Sequence, residues 1–136
     1  MRAALSIAIV LVACGGQTRA PNPPVTMGAS TAVPAAQGQV KVDDGGNGNT
    51  AVAVTVKHLA PPDRMGEGVT TYVVWAKPLN GPPQNLGALQ VNENLEGVLR
   101  TVTPLREFDC FVTPEPSPTS PAPSGQPVLT AHVMRE

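Results

Sequence analysis

The residues of this chain that could carry out chemistry are few and are widely spaced. His58, Cys110, His132 and Met134 are the side-chain types of a copper site. In blue-copper proteins the cysteine, the second histidine and the methionine share one loop, whereas here Cys110 lies far before the other two. His132 and Met134 are two positions apart on one predicted strand. The spacing therefore favours ordinary strand residues that face core or solvent, and no metal or cofactor is expected.

Three further candidates have simple structural interpretations. Glu115, between two prolines, is interpreted as a loop carboxylate without a nearby partner. Residues 43–49 are acidic and glycine-rich, but they lack the alternating ligands and the closing glutamate of a calcium loop, so a hairpin turn is predicted. Cys110 is predicted to be a small buried hydrophobe between Phe108 and Val112.

No arrangement typical of an enzyme is present in the sequence. The serine, histidine, aspartate and cysteine residues do not have the spacing of a nucleophilic triad, and the chain has no glycine-rich phosphate loop. No catalytic residue is therefore expected, and the chain is predicted not to be an enzyme.

Composition limits the fold and excludes some partners. The chain has 136 residues, and this length allows one domain, rarely two. It contains 16 prolines, 13 glycines and only 14% charged residues. Its formal net charge of −1 gives no basic field, so no nucleic-acid partner is expected. No apolar run reaches the roughly 18 residues that a membrane-spanning helix needs.

The first residues have the layout of a secretory signal peptide. Arg2 is followed by an apolar run over residues 3–13, and residues 11–15 read Leu-Val-Ala-Cys-Gly, which resembles a bacterial lipobox. The small Ala13 admits a signal peptidase, the Cys14 thiol accepts a diacylglycerol, and the freed amine accepts a further acyl chain. More than one chain is needed for stable anchoring.

This motif predicts where the protein is located and how it is attached. Residues 1–13 are the expected signal peptide, and Cys14 is the expected lipidation site. The mature protein is expected in the bacterial cell envelope, on its periplasmic or outer-membrane face, with the membrane as a partner through the lipid anchor. Gly15, in place of an aspartate, favours the outer membrane.

The rest of the chain divides into a tether and one β domain. Residues 14–38 are rich in Gly, Ala, Pro and Thr without any period, which predicts a disordered, flexible tether. Residues 39–136 alternate apolar and polar positions between Gly/Pro turns, which predicts an all-β domain. The strands are expected near residues 40–42, 51–56, 69–76, 86–91, 98–103, 107–113 and 128–134.

Seven short strands in a domain of this size favour an immunoglobulin-like β-sandwich. The core is expected to be mostly valine and leucine. Trp75 is predicted to be the central core anchor, on the face that it shares with Thr71 and Val73, while Tyr72 points to the opposite face.

Four short runs within this domain resemble a known family. They are Tyr-Val-Val-Trp at 72–75, Asn-Leu-Gly at 85–87, Val-Thr-Pro-Glu-Pro at 112–116 and Pro-Ser-Gly at 123–125. In this order they resemble the C-terminal extracytoplasmic domain of anti-sigma-K-type factors over residues 69–129. The resemblance implies a β-sandwich outside the cytoplasm. It does not carry over sigma-factor binding, which in that family belongs to a cytoplasmic helical domain, in whose place this chain has the lipobox.

Two functions are compatible with these features. The first is a lipid-anchored binding or structural module of the cell envelope without catalytic activity, which uses loops at one end, including residues 114–127, to bind an envelope protein or a polysaccharide. The alternative is an extracytoplasmic sensing or regulatory accessory of an anti-sigma-type stress-response system.

The lipobox gives the first testable prediction. Cys14→Ser removes the thiol that accepts the lipid, and no other predicted segment of the mature chain is apolar enough to hold a membrane. We expect the variant to lose palmitate labelling and to move to the soluble fraction. A Cys14→Ser protein that still partitions wholly into membranes would contradict the lipidation.

Overall fold

The computed structural model describes residues 22–135, so Cys14 and the predicted signal peptide lie outside the described residues. The described part is all-β, with one short 3₁₀ helix at Pro62–Met65. Within it, no helix has the length and apolarity needed to cross a membrane. Its strands are β1 (Val25–Ala29), β2 (Gln37–Gly46), β3 (Asn49–Lys57), β4 (Thr71–Pro78), β5 (Gln84–Leu89), β6 (Gly97–Thr103), β7 (Glu107–Glu115) and β8 (Leu129–Met134).

All eight strands belong to one antiparallel sheet with the order β5-β4-β7-β8-β1-β2-β3-β6. Strand β1 pairs with both β2 and β8, so it joins two four-stranded halves. The sheet curls until its terminal strands β5 and β6 lie in contact. The predicted β-sandwich architecture is therefore confirmed, with eight strands in place of seven. The strand order differs from that of an immunoglobulin constant domain. Here β2 pairs with the next strand, β3, whereas in that domain strand B lies beside strand E.

The additional strand is β1, which lies in the segment predicted to be a tether. Met27 on this strand is 97% buried, and Val33 and Ala36 after it are also buried. The five residues of β1 are too few to show a period, and their strand conformation comes from pairing with β2 and β8 on either side. Residues 25–38, which were assigned to the tether, are therefore part of the folded domain.

The core lies between the two halves and follows the alternation of the sequence. Inward-facing valines of β2 and β3 pack against the inward-facing residues of β4, β7 and β8. Strand β4 differs because five consecutive residues are fully buried, so both of its faces are covered. Tyr72, Val74 and Ala76 belong to the core cluster, whereas Val73 and Trp75 point to the other side of the sheet.

The two ends of the barrel-like sandwich carry different features. The hairpin end holds the tight turn between β2 and β3, together with Arg135, whose guanidinium donates to the hydroxyl of Thr50 and the carbonyl of Gly48. The described chain also enters from this side, and the Asn22 side-chain amide donates to the carbonyl of Val42, near the middle of β2, at 3.1 Å. The opposite loop end holds the connections 30–36, 58–70, 90–96 and 116–128.

A stability measurement can test whether residues 25–29 are a strand of the folded domain or part of a tether. Met27→Ala removes a buried side chain and should lower the free energy of unfolding by about 2–5 kcal/mol. The matched control is Thr26→Ala, an exposed neighbour on the same strand that should change stability by less than about 0.5 kcal/mol. Urea denaturation of both proteins measures the difference. Equal stabilities would mean that residues 25–29 are not part of the folded domain.

Candidate functional site

The four runs that carry the family resemblance come together on the outer face of strands β4 and β7. Each supplies at least one side chain or backbone group to a hydrogen-bonded network that holds residues 116–127, which we call the Pro loop. We call this network the loop clamp, and its members are Trp75, Asn85, Thr113, Glu115, Ser124 and Gly125. Only Trp75 and Glu115 were singled out individually from the sequence; the other four members appear there only within the four runs.

The first part of the loop clamp joins β4 to β7. The indole N–H of Trp75 donates to Oγ1 of Thr113 at 2.8 Å, and the Thr113 hydroxyl donates to Oε2 of Glu115 at 2.6 Å. All three side chains are fully buried. Because a buried polar group without a partner is costly, this complete chain of donors and acceptors fixes the position of each side chain.

Glu115 is the last acceptor in this series of hydrogen bonds, and it anchors the Pro loop. Its carboxylate accepts the backbone N–H groups of Ser124 and Gly125, at 3.0 Å and 3.2 Å, and also the Ser124 hydroxyl. A Cβ atom on Gly125 would collide with the carbonyl oxygen of Pro114, so this close approach requires glycine. The expectation that Glu115 lacks a nearby partner is therefore wrong: Glu115 ends β7 and receives hydrogen bonds from the folded-back loop.

The ionisation of Glu115 follows from these contacts. Burial alone would raise the pKa of the carboxyl, but hydrogen bonds from Ser124, Thr113 and the backbone N–H of Gly125 outweigh it and lower the pKa below its ordinary value of 4.5. Glu115 is thus an anion at neutral pH, and each of its donors stabilises the charge.

Asn85 holds the other part of the Pro loop. Its side-chain amide donates to the carbonyl oxygens of Pro118 and Ser120, both at 3.0 Å, while its own Oδ1 accepts the N–H of Gly87 at 2.8 Å. The pairing of β4 and β5 shifts register immediately before the Trp75–Asn85 pair, which places Asn85 beside the loop. The loop is therefore fixed near both of its ends.

Trp75 owes its burial to the Pro loop rather than to the core. The prediction that Trp75 is buried is confirmed, since its exposure is 0%. Its indole lies outside the hydrophobic cluster between the two halves, on the other face of β4. Tyr72 occupies the core instead, and its hydroxyl donates to the carbonyl of Ala60. Burial, together with the nearby Asp63, raises the pKa of Tyr72 to about 12.

A second polar cluster lies on the uncovered part of the same outer face. His132 on β8 contacts two carboxylates of β7, with Nδ1 2.8 Å from Asp109 and Nε2 2.9 Å from Glu107. These two hydrogen bonds raise the pKa of His132, and the bond to Asp109 has the larger effect. The ring itself is half exposed. With a carboxylate at each nitrogen, both nitrogens donate when the imidazole is protonated.

The residues considered for copper do not converge. Cys110 points into the core as a free thiol, and burial raises its pKa to about 12, whereas His132 and Met134 are exposed. His58 lies at the loop end, directly after β3. Over residues 22–135, no group of three or more His, Cys, Asp or Glu side chains could hold a metal ion. The interpretation of Cys110 as a buried hydrophobe is confirmed.

The predicted hairpin turn between β2 and β3 is present, but it is confined to Asn47 and Gly48, because β2 continues to Gly46 and β3 begins at Asn49. Asp44 accepts the N–H of Gly46 at 2.9 Å, and Asn47 has a positive φ of 54°, as a tight hairpin requires.

Comparison with protein families and with curated proteins identifies no relative of this chain. A scan against models of protein families finds no match for the chain, and a search of curated proteins finds none either.

The loop clamp predicts how stability depends on pH. The pKa of Glu115 is lower in the folded protein, so its contribution to stability is complete above about pH 4.5 and is lost as the pH falls through the folded-state pKa. Glu115→Gln should cost about 1–3 kcal/mol at pH 7, because it leaves buried donors poorly matched, and it should flatten the loss of stability in acid.

Chemical denaturation between pH 3 and pH 7 measures both effects (the range is about that of carboxyl titration). Glu67→Gln is the matched control, because Glu67 is an exposed glutamate close to the same loop. If Glu115→Gln and Glu67→Gln gave the same stability at every pH, Glu115 would not be the anchor of the Pro loop.

Proposed function

We propose that this protein is a lipid-anchored binding module of the bacterial cell envelope, without catalytic activity, that presents its loop end away from the membrane. The observation that carries the proposal is the place where the described chain begins. Strand β1 runs from the hairpin side toward the loop end, and Asn22, which precedes it, lies beside Val42 near the middle of β2, whereas the Pro loop lies at the loop end. An anchor attached before Asn22 therefore approaches the domain from the hairpin side and leaves the loop end free.

The short distance to the expected lipid site supports this orientation. Cys14 precedes Asn22 by eight residues, which span at most about 30 Å when fully extended. Strand β2 continues from Val42 to Gly46 beyond the attachment of Asn22, which takes up about 13 Å of that reach. The remaining reach is long enough for the hairpin end to touch the headgroups of a bilayer that holds Cys14.

The loop end has the properties of a preorganised binding surface. The Pro loop is held by Asn85 and Glu115, so little conformational entropy remains to be lost when a partner binds. Beside it lies a groove of about 460 Å³ that is lined in part by Met65, Pro116 and Pro127. Fixed loops at one end of a sandwich are a common way to build a recognition site.

The loop clamp supports a structural role rather than a catalytic one. A nucleophile or general base must reach a substrate atom within hydrogen-bond distance. The carboxylate of Glu115 is fully buried and accepts hydrogen bonds from the loop itself, and Thr113 is also fully buried. The most elaborate polar network of the described residues is thus used to hold a loop. A regulatory accessory of an anti-sigma-type system stays the alternative prediction.

Site-directed labelling tests the anchor and the orientation together. Cys110 is buried with a raised pKa and should not react with a maleimide, so Asn47→Cys and Thr119→Cys each add one reactive thiol, at the hairpin end and in the Pro loop. In the lipidated full chain on vesicles, a quencher carried by lipid headgroups should quench a fluorophore at 47 and spare one at 119.

Two outcomes would overturn the proposal. The first is a protein that carries no lipid and does not bind vesicles, which removes the anchor. The second is a vesicle-bound protein whose label at 119 is quenched more than the label at 47, which reverses the orientation.

A further inference from the structure

The Pro loop divides the outer face of strands β4, β7 and β8 into a covered half and an open half. Trp75 and Thr113 lie in the covered half. In the open half, strand pairing places Lys77, Asp109 and His132 side by side in one row, and Phe111 and Thr130 side by side in the next. Pro127, at the end of the Pro loop, borders a depression of about 490 Å³ over these two rows. We call this depression the open-face site.

Phe111 gives the open-face site an aromatic floor. The other three aromatic side chains, Trp75, Tyr72 and Phe108, are fully buried, so within the described residues Phe111 is the aromatic ring that reaches the surface. Its neighbours in the pairing are Trp75, which the loop covers, and Thr130, which is exposed. The partly exposed ring of Phe111 offers an apolar contact for the C–H groups of a flat ligand.

The polar groups around this ring are partly fixed before any ligand arrives. The two ring nitrogens of His132 are hydrogen-bonded to the carboxylates of Asp109 and Glu107, at 2.8 Å and 2.9 Å. These bonds restrain both carboxylates on the surface of the sheet. Lys77 lies opposite Asp109 in the pairing and adds a donor. Lys77 and Asp109, which lie side by side in the site, carry opposite charges.

The position of the site in the sheet excludes recognition by strand addition. Strands β7 and β8 each pair on both sides, and β4 lies between β5 and β7. Their backbone groups are therefore used by the sheet, and a ligand must be read by side chains alone. A peptide would gain no main-chain ladder here, whereas a sugar ring is recognised through hydroxyls and one apolar face.

We propose that the open-face site binds an uncharged pyranose chain, with Phe111 under one sugar ring and Lys77, Asp109 and Thr130 hydrogen-bonding its hydroxyls. Because the opposite charges of Lys77 and Asp109 lie side by side, the site matches a neutral, hydroxyl-rich ligand better than an anionic one. The proposal deepens the binding function proposed above and rests on it, because it names a polysaccharide as the class of partner.

The test uses the lipidated full chain in detergent and three soluble probes. They are the β-1,4-linked tetramers of N-acetylglucosamine and of glucose, which are neutral, and polygalacturonate, which is anionic. Titrations followed by NMR should show that at least one neutral tetramer binds. Phe111→Ala should weaken that binding at least ten-fold, and Lys77→Met at least three-fold.

The controls separate recognition from folding and from anchoring. Arg100→Met changes an exposed residue on β6, away from the site, and should leave binding unchanged. Should Phe111→Ala fail to fold, Lys77→Met still decides, because Lys77 is exposed. Membrane fractionation reports on the anchor independently of sugar binding.

Three results would overturn the open-face site as a sugar site. They are the absence of binding to both neutral tetramers, a preference for polygalacturonate, and unchanged binding in folded Phe111→Ala or Lys77→Met protein.

Discussion

The buried carboxylate of Glu115 is the constraint on which the loop end depends. A charge without partners in this position would cost several kcal/mol, so the donors around it must all stay in place. Three of these donors belong to the returning end of the Pro loop, namely the backbone N–H groups of Ser124 and Gly125 and the Ser124 hydroxyl. The fourth is the hydroxyl of Thr113, which in turn accepts a hydrogen bond from the Trp75 indole. The charge therefore ties the β7–β8 loop to β4, although these segments are far apart in the sequence.

This arrangement gives a small domain two apolar layers around one strand. Strand β4 contributes Tyr72 and Val74 to the core and places Val73 and Trp75 under the Pro loop. A sandwich with few aromatic residues buries limited apolar area, and a covering loop adds to it. Because the loop reaches across only part of the outer face, it also creates the border of the open-face site.

Strand β1 has a similar importance for the sheet as a whole. By pairing with β2 and β8 it joins the two halves of the sandwich, and it directs the preceding chain to the hairpin end. A domain that is held from this end displays its loops on the far side and its open face along the flank. Both the proposed anchor and the proposed sugar site are compatible with this geometry, since neither obstructs the other.

The sequence by itself determined strands β2 to β8 and the hairpin turn, because alternation with a period of two and Gly, Pro or Asn breaks act locally. It also predicted that Cys110 and Trp75 are buried. Only the tertiary structure decided that β1 is a strand, that the Pro loop covers Trp75, and that Glu115 and His132 have partners. The period assigns side chains to alternate faces, but it does not say what covers each face. That depends on contacts between residues such as Glu115 and Ser124, or Asn85 and Pro118, whose approach results from the folding of the whole sheet.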